Sequence, residues 1–479
     1  MQEKMTTDVL VIGGAGAGLR AGIEAKLNGA DTMIVSKMPV GGTSCTLVIA
    51  GWITCATPEN EDQLFKQIVY TGGYINNQKL VDTFVQDAIH TIPQLRDFGV
   101  VMEQRLGESP DMPAHFVTEK IGSNPKGHTL LYPLRKKAEE IGVKILDDVI
   151  ITKLIKSNDT ITGAVGVHLK SGKFLIISAK SIVLATGGGA FAFERSDNPP
   201  GTTGDGFSLA YLAGAELVDM EFVSLNIPKN LIPQIFEVKG EPPESIINHG
   251  TAHYFLGGVK INENCETNIK GLFACGEVTG GVLGSARLGG SAVADAIVFG
   301  KRAGFSSAQW AKNNETVDLD MDQVQEAKDE YVKMLEKDGV SPIETLAKIK
   351  SILWKYIGPV KSEYTLNKAL ELIDGMKDLK FRVRNPQEIL SAYEARNIRV
   401  LGKILASASL IRKETRGNFW RADYPNPDNE KWVKNIVLWE DKGNVATRID
   451  DVVMTRLHSP VQPPIGSGCF WYFPKIDIG

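Results

Sequence analysis

Long hydrophobic runs, clusters of positive charge and closely paired cysteines are all missing from this sequence of 479 residues. Its most apolar stretches are interrupted by glycine or by a charge before they reach the ~20 residues of a membrane-spanning helix. The first residues, MQEKMTTDVLVIGG, lead directly into a strand pattern and leave no room for a signal peptide. We therefore expect a cytoplasmic protein that does not insert into a membrane.

The charge balance argues against two classes of partner. The formal net charge is −4, and lysine and arginine do not cluster, so nucleic acid and anionic membranes are not expected partners. With 43% hydrophobic and 23% charged residues, the composition is that of a globular protein long enough for two or three domains.

The five cysteines contain no C-x-x-C pair; they are Cys45, Cys55, Cys265, Cys275 and Cys469. Neither a zinc site nor an iron–sulfur ligand set has such spacing, so no metal site is expected in this chain. Each cysteine is interpreted as a small buried apolar residue. A metal cluster used by this protein must therefore sit on another chain.

The N-terminal block has the pattern strand, glycine-rich turn, helix, strand. The apolar run DVLVI leads into GGAGAG, in which Gly13, Gly16 and Gly18 expose bare backbone at the start of a helix. A dinucleotide pyrophosphate needs such backbone N–H groups. Ala15 replaces the second glycine of the usual pattern, and the second strand ends in Ser36-Lys37 without the usual acidic residue. A turn that binds no nucleotide is the alternative for this motif alone.

Four later segments also place glycine-rich backbone after predicted strands or before helices. They are ATGGG at 185–189, TGDG at 203–206, GLFACGE at 271–277 and RLGGS at 287–291. In open parallel sheets, ligands bind beyond the carboxyl ends of the strands. Each segment alone is a weak signal, but together they predict one elongated ligand site.

In this order, the segments resemble the FAD flavoprotein subunits of succinate dehydrogenase and fumarate reductase, with the related L-aspartate oxidases. The matching motifs span residues 6 to about 432 and include VIGGAGAGLRA, TGDGFSLAYLAGAELVDMEF, HYFLGGV, GLFACGEVTGG, RLGGSAVADAIVFGKRAG and ETRGNFWRADYP. The resemblance implies an α/β fold with a Rossmann-like FAD-binding domain of the glutathione-reductase-like type. Its expected parts are the FAD-binding domain (1–222 and 250–305), a vestigial capping segment (223–249), a helical domain (306–430) and a C-terminal extension (431–479).

The resemblance also implies FAD as the cofactor. The implied contacts are Gly13, Gly16, Gly18, Ser36, Lys37, Thr43, Gly187, Asp205, Glu277, Arg287 and Ser291. In membrane-linked members of the family a histidine after the second strand carries the flavin covalently. Cys45 occupies that place here, so FAD is expected to be held noncovalently.

Two carboxylate-holding residues of the family are matched, His253 in HYFLGG and Arg287 in SARLGG. Arginine suits this role because its planar fork makes two charge-assisted hydrogen bonds to a carboxylate. Both are predicted as catalytic residues. The alternatives are a hydrogen-bonded core histidine at 253 and a structural FAD or ion-pair contact at 287.

The family's proton-donating arginine lies in a large capping domain, which is reduced here to residues 223–249. This segment contains no arginine, and its basic groups are Lys229, Lys239 and His249. Its four prolines predict an ordered loop over the flavin rather than helices or strands. The flavin face is therefore expected to be open, either to a bulky substrate or to a partner chain.

The C-terminal region predicts helices over 321–339, 366–376 and 389–411 from the spacing of apolar residues. Glu414, Arg416 and Arg421 follow, and are expected to form an ion-paired network or a docking site for an iron–sulfur subunit. The tail CFWYFPKIDIG is expected to pack on the body of the protein or on a partner.

These observations lead to one functional hypothesis and two alternatives. The chain is predicted to be an FAD-dependent oxidoreductase subunit that transfers electrons between a carboxylic-acid-type or bulky small-molecule substrate and an iron–sulfur partner. The alternatives are a self-sufficient flavoenzyme like L-aspartate oxidase and a noncatalytic electron-transfer subunit.

Overall fold

The computed structural model describes residues 2–105, 115–118, 124–335 and 338–459 of the chain. The strands in these residues are β1 (Gln2–Ile12), β2 (Thr32–Val35), β3 (Trp52–Thr54), β4 (Met102–Arg105), β5 (His115–Thr118), β6 (Lys144–Leu146), β7 (Val149–Ser157), β8 (Thr160–His168), β9 (Lys173–Leu184), β10 (Leu217–Val218), β11 (Val223–Asn226), β12 (Thr251–Phe255), β13 (Gly258–Lys260), β14 (Leu272–Ala274), β15 (Thr279–Gly280), β16 (Lys434–Asp441) and β17 (Asn444–Asp451).

The α-helices in the same residues alternate with the strands in the first half of the chain and dominate the second half. They are α1 (Gly16–Leu27), α2 (Glu61–Thr71), α3 (Gln78–Thr91), α4 (His128–Glu140), α5 (Asp205–Leu212), α6 (Ile232–Ile235), α7 (Glu244–Ile247), α8 (Ser291–Asn313), α9 (Met321–Met334), α10 (Pro342–Ile357), α11 (Glu363–Asp374), α12 (Pro386–Ile411) and α13 (Asn429–Trp432). No helix in the described ranges is long and apolar enough to cross a membrane.

The main sheet has the strand order β6-β2-β1-β9-β8-β7, and β14 also pairs with β9. Strands β6, β2, β1, β9 and β14 run parallel, whereas β8 and β7 are antiparallel to their neighbours. Strand β9 is long enough to pair with β8 through its first half and with β14 through its second half. Its run of buried aliphatic residues is typical of a strand covered on both faces. The predicted α/β fold is confirmed.

Helices α1 and α8 pack closely on each other beside this sheet. A Cβ atom on Gly304 of α8 would lie 2.3 Å from the backbone oxygen of Ala21 in α1, so the two helices approach through small residues. Both helices begin next to the edge where the parallel strands end. Their N-termini are therefore brought to the same place as the predicted glycine motifs.

The C-terminal half is a helical unit, as predicted. Helices α10, α11 and α12 pack on one another, with the buried side chains of Leu353, Ile373 and Leu401 between them. Helix α9 lies on the outer strands of the main sheet through Val324 and Tyr331. The predicted helix over 321–339 ends earlier in the structure, at Met334.

The segment 223–249 contains a strand and short helices, so the prediction of an ordered loop without helices or strands was wrong. Strand β11 pairs with β12, and two short helices follow it. Pro233 lies in the first turn of α6 and Pro243 immediately precedes α7, positions where proline costs no hydrogen bond. The segment packs on the helical unit, where the indole nitrogen of Trp354 donates to the Ile247 carbonyl over 2.6 Å.

A buried ion-paired network joins the end of α12 to the segment between β10 and β11. Arg412 donates to Glu221 over 2.6 Å and to Glu414 over 3.0 Å, and all three side chains are fully buried. Arg416 donates to the same Glu414, while Arg421 pairs with Asp423. The sequence predicted a network at Glu414, Arg416 and Arg421, and the structure shows it as two neighbouring groups. The tail CFWYFPKIDIG, with Cys469, lies outside the described residues.

Candidate active site

Four neighbouring parallel strands deliver the predicted motifs to one edge of the main sheet. Strands β2, β1, β9 and β14 end at Val35, Ile12, Leu184 and Ala274, and a predicted motif follows each of them. A solvent-open cleft lies at this edge of the sheet. Its lining includes the predicted residues Gly13, Ser36, Lys37, Thr43 and Asp205.

The glycine-rich turn after β1 has the geometry that its sequence requires. Gly13 has a φ of +116°, and a Cβ atom there would lie 2.1 Å from the Ala185 oxygen. A Cβ on Gly18 would lie 1.9 Å from the Gly13 oxygen. Helix α1 begins at Gly16, and the residue before it, Ala15, offers no side-chain cap. The Gly16 N–H makes a long hydrogen bond of 3.4 Å to the Thr46 hydroxyl, and the first turn of a helix can also bind an anionic group.

Lys37 lies at the end of the cleft formed by β2. Its ammonium nitrogen is 2.5 Å from an Asp205 carboxylate oxygen and 2.8 Å from an oxygen of Glu394 in α12, and it also bonds the Thr203 hydroxyl. Burial alone would lower the pKa of Lys37, but the two carboxylates raise it on balance. Lys37 is therefore a fixed cation. The helical unit supplies one of its partners, which the sequence motifs did not reveal.

Gly187 and Ser291 occupy two further turns at this edge. Gly187 follows β9 with a φ of +74°, and a Cβ atom there would meet no atom within 4 Å. Ser291 opens α8, where its buried hydroxyl donates to the Leu288 carbonyl over 2.6 Å. Both residues lie in turns beside this edge of the sheet, and their contact with a cofactor stays a prediction.

Glu277 follows β14 and is a partly buried carboxylate. One of its oxygens accepts the backbone N–H of Phe255 over 3.0 Å. Burial raises the pKa of Glu277 to about 7, although Arg287 opposes the shift. Asp295 in α8 is also buried, and burial together with the charge of Glu277 raises its pKa to about 7. Two acids of nearly neutral pKa thus lie behind this part of the site.

His253 and Arg287 are in direct contact. An Arg287 Nη2 nitrogen lies 3.0 Å from Nε2 of His253, and the guanidinium lies over the Tyr254 ring at 4.7 Å. On its other side, Nδ1 of His253 lies 3.0 Å from both carboxylate oxygens of Asp197. The structure therefore contains a hydrogen-bonded row of three side chains, Asp197, His253 and Arg287. The sequence did not predict Asp197 as a member of this row. The polar stretch ERSDN after the ATGGG motif was the available signal.

Cys45 lies next to this row of three side chains. Its thiol is 2.9 Å from the Asn198 side-chain oxygen, and the Asn198 amide donates to the backbone oxygen of His253 over 2.7 Å. Burial, together with the nearby charges of Glu277 and Asp197, raises the pKa of Cys45 well above its ordinary value. The thiol is therefore neutral and a poor nucleophile.

The basic groups of the 223–249 segment are exposed side chains at the surface: Lys229, Lys239 and His249. His249 bonds the Ser245 carbonyl through Nδ1 over 3.0 Å. His253 differs from His249 in belonging to the site, because its ring nitrogens face Asp197 and Arg287. The segment touches the row of three side chains through Asn226, whose amide donates to Asp197 over 2.7 Å.

Comparison with protein families identifies two regions. A sequence profile described as FAD binding domain matches residues 8–237 and 227–293, and one described as Fumarate reductase flavoprotein C-term matches residues 346–465.

Individual proteins are similar over nearly the whole chain. An uncharacterised FAD-dependent oxidoreductase of Methanocaldococcus jannaschii is 30% identical, with 91% of this chain and 96% of that protein covered. One subunit of the CoM/CoB fumarate reductase of Methanothermobacter marburgensis is 27% identical, with 91% and 97% covered.

Solved structures share the fold. A chain of the E. coli quinol fumarate reductase superposes with a TM-score of 0.85 at 20% identity, covering 96% of this chain and 99% of that one. Sdh1 of Mycobacterium smegmatis gives 0.84 at 22% identity, with 95% and 96% covered. The chain belongs to the succinate dehydrogenase and fumarate reductase flavoprotein family, and it is an FAD-dependent oxidoreductase.

Proposed function

We propose that this protein passes electrons between a substrate that carries a carboxylate and an iron–sulfur partner chain, through a noncovalently held FAD. The observation that carries the proposal is the contact between Arg287 and His253 beside the partly buried Glu277. Bound FAD would supply two-electron hydride chemistry. The residues of this chain would hold the cofactor, hold the substrate's acidic group and shape the access to it.

The residues at the edge of the sheet fit FAD. Gly13, Gly16 and Gly18 would hold its pyrophosphate, because the N-cap residue Ala15 has no side chain to cap the first turn of α1. Glu277 would accept a hydrogen bond from a hydroxyl of the ribityl chain or ribose, since its partly buried carboxylate has few partners of its own. The remaining proposed contacts surround these two points: Ser36, Lys37, Thr43, Gly187, Asp205, Arg287 and Ser291.

Arg287 and His253 would hold the acidic group of the substrate. Nε of Arg287 is buried and has no hydrogen-bond partner in the described part of the chain, so the guanidinium has unused donor capacity. The side chain of His253 remains 36% exposed and is therefore accessible from solvent. A cationic fork beside an exposed imidazole suits a carboxylate better than a neutral group.

A bulky or partner-delivered substrate is proposed because of the access to Arg287 and His253. The FAD-binding profile matches in two pieces that meet at 227–237, inside the 223–249 segment. The alignment to the M. jannaschii relative spans 533 positions and so is longer than this chain. Both findings support a shortened cap. The segment that remains packs on α10 and α11, where Tyr356 and Tyr364 bond Glu241.

An iron–sulfur partner is proposed from two observations. Several relatives are named as subunits of fumarate reductase or succinate dehydrogenase, so they function in assemblies. Among the described residues, no group of His, Cys, Asp and Glu side chains is placed to bind a metal ion. Electrons that reach FAD would therefore leave through a cluster held by another chain.

The neutral thiol at Cys45 predicts that FAD is not covalently attached. Precipitating the FAD-loaded protein with acid, or unfolding it in guanidinium chloride, is expected to release all of the flavin into the supernatant. The measurement is flavin absorbance in the supernatant and in the washed protein. Flavin that stays with the washed, denatured polypeptide would disprove noncovalent attachment.

Replacing Glu277 with Gln is expected to change two properties in opposite directions. The pKa of Glu277 rises from 4.5 to about 7 on folding, so the FAD-free protein loses stability as pH rises between these values. At about pH 8 the FAD-free E277Q variant should be more stable by about 1–3 kcal/mol, with little difference at about pH 5. Its FAD affinity should nevertheless fall about tenfold or more.

Urea unfolding at both pH values and FAD titration of the FAD-free protein measure these effects. E237Q is the matched control, because Glu237 is exposed and the change in charge is the same. Should E277Q bind FAD as tightly as the unchanged protein, the proposed hydrogen bond to FAD does not exist.

Replacing Arg287 or His253 with alanine is expected to lower substrate turnover about 100-fold, in line with the loss of one oriented hydrogen-bond donor. The assay is anaerobic oxidation of a reduced viologen dye by a panel of unsaturated dicarboxylates and acyl thioesters. His249→Ala is the control, because His249 is exposed outside the site. If both site variants leave turnover unchanged while the dye still reduces FAD, a noncatalytic electron-transfer role is favoured.

Purification from the native host tests the partner. A second chain that contains iron and acid-labile sulfide is expected to co-purify with this one, and to be needed for transfer of electrons from FAD to a one-electron acceptor. Iron and sulfide analysis of the complex and of the separated chains gives the measurement. A lone yellow protein that consumes oxygen with an amino acid would instead support the L-aspartate-oxidase-like alternative.

A further inference from the structure

We propose that Asp197 is a positioning residue that couples anion binding to protonation: when a carboxylate binds at Arg287, His253 takes up one proton from water. The inference deepens the proposed function, because it rests on a carboxylate site at His253 and Arg287. The new N–H bond forms as an O–H bond of a solvent water breaks, the buffer neutralises the hydroxide that is left, and no electron is transferred in this step.

Hydrogen-bond accounting fixes the protonation of His253 in the absence of an anion. Arg287 can only donate, so Nε2 of His253, at 3.0 Å, must accept with its lone pair. The single proton of the neutral ring is then on Nδ1, where it is donated to Asp197 over 3.0 Å. Both ring nitrogens are thus satisfied by a neutral imidazole.

A bound carboxylate requires Nε2 to donate a hydrogen bond, whereas Arg287 requires it to accept one. Carboxylate oxygens only accept, so an anion that takes over the Arg287 guanidinium also leaves Nε2 facing an acceptor. Nδ1 cannot give up its proton, because Asp197 is itself an acceptor. The ring satisfies two acceptors only with a second proton, which arrives from water and converts the neutral imidazole into imidazolium.

The surroundings keep Asp197 ionised, as this requires. Partial burial alone would raise the pKa of Asp197, but hydrogen bonds from His253, Asn198 and Asn226 lower it on balance. Its side chain remains 34% exposed, which gives water access to the pair. Thr251 adds a long contact of 3.4 Å from its hydroxyl.

The other charged groups around His253 favour a proton once an anion is present. Arg287 faces Nε2 and disfavours imidazolium until a carboxylate occupies it. Glu277 contributes a negative charge from the interior, since its charge and that of His253 interact. The neutral Cys45 thiol on the same side adds no charge. Anion binding therefore removes the main obstacle to protonation and leaves the two carboxylates to stabilise it.

Isothermal titration calorimetry with malonate tests this on the full FAD-loaded protein. Titrations in two buffers of different ionisation enthalpy give the affinity and the number of protons taken up together. At about pH 8, where an ordinary imidazole is neutral, about one proton should be taken up per malonate bound. The dissociation constant should rise about tenfold for each pH unit between about 7.5 and 9.

Variants of Asp197 distinguish its coupling of anion binding to the protonation of His253 from a merely structural role. In D197N the amide can donate to Nδ1, so a neutral ring with the proton on Nε2 can hold malonate, and proton uptake should vanish along with the pH dependence. D197E should restore uptake, because it keeps the ionised acceptor. E194Q is the matched control, since Glu194 is an exposed acid of the same loop, and it should behave like the unchanged protein.

The failure of this inference differs from failure of the proposed function. Malonate binding that is lost in R287A but takes up no proton would overturn the role of Asp197 and leave the carboxylate site in place. The same conclusion follows if D197N weakens binding yet keeps full proton uptake. An unchanged protein that gives no binding heat in either buffer would overturn the carboxylate site itself, and the coupling with it.

Discussion

The pairing of β9 with its parallel neighbours is the constraint on which the site depends. Leu184, at the end of β9, is opposite both Ile12 of β1 and Ala274 of β14. The backbone that follows these three residues therefore emerges at one level of the sheet. Because side chains alternate across a strand, a slip of one residue would exchange the side chains that face the two covering layers and would move the strand ends out of line. The register thus fixes the fold and the convergence of the glycine turns at the same time.

Local chemistry explains why the cofactor-binding part could be predicted from the sequence. Only glycine fits a turn such as the one at Gly13, because a Cβ atom there would overlap the Ala185 oxygen. The glycine in the sequence therefore indicates the turn directly. The same holds for the helices, whose apolar spacing predicted the C-terminal unit. Features that a few adjacent residues specify are visible in one sequence.

Contacts between distant residues were not visible in this way. Asp197 meets His253 across 56 positions of sequence, and Glu394 meets Lys37 across 357. Nothing near Glu394 distinguishes it from an ordinary surface carboxylate, and the polar stretch around Asp197 does not reveal its partner until the chain is folded. The segment 223–249 was misjudged for a related reason: its prolines exclude helix interiors but not helix starts, and the contacts with α10 that stabilise its short helices come from elsewhere in the chain.

The charges at Arg287 connect the 223–249 segment to the chemistry of the site. Arg287 lies between two acids, Glu277 on the buried side and Asp197 beyond His253, so an arriving carboxylate adds negative charge to a cluster whose fixed cation is Arg287. A closed cap can offset this with an arginine of its own and by excluding water. This segment offers no arginine, and its exposed lysines face a medium in which their attraction is weak. A proton taken from water onto His253 supplies the missing positive charge, and an open site is where that proton is readily available.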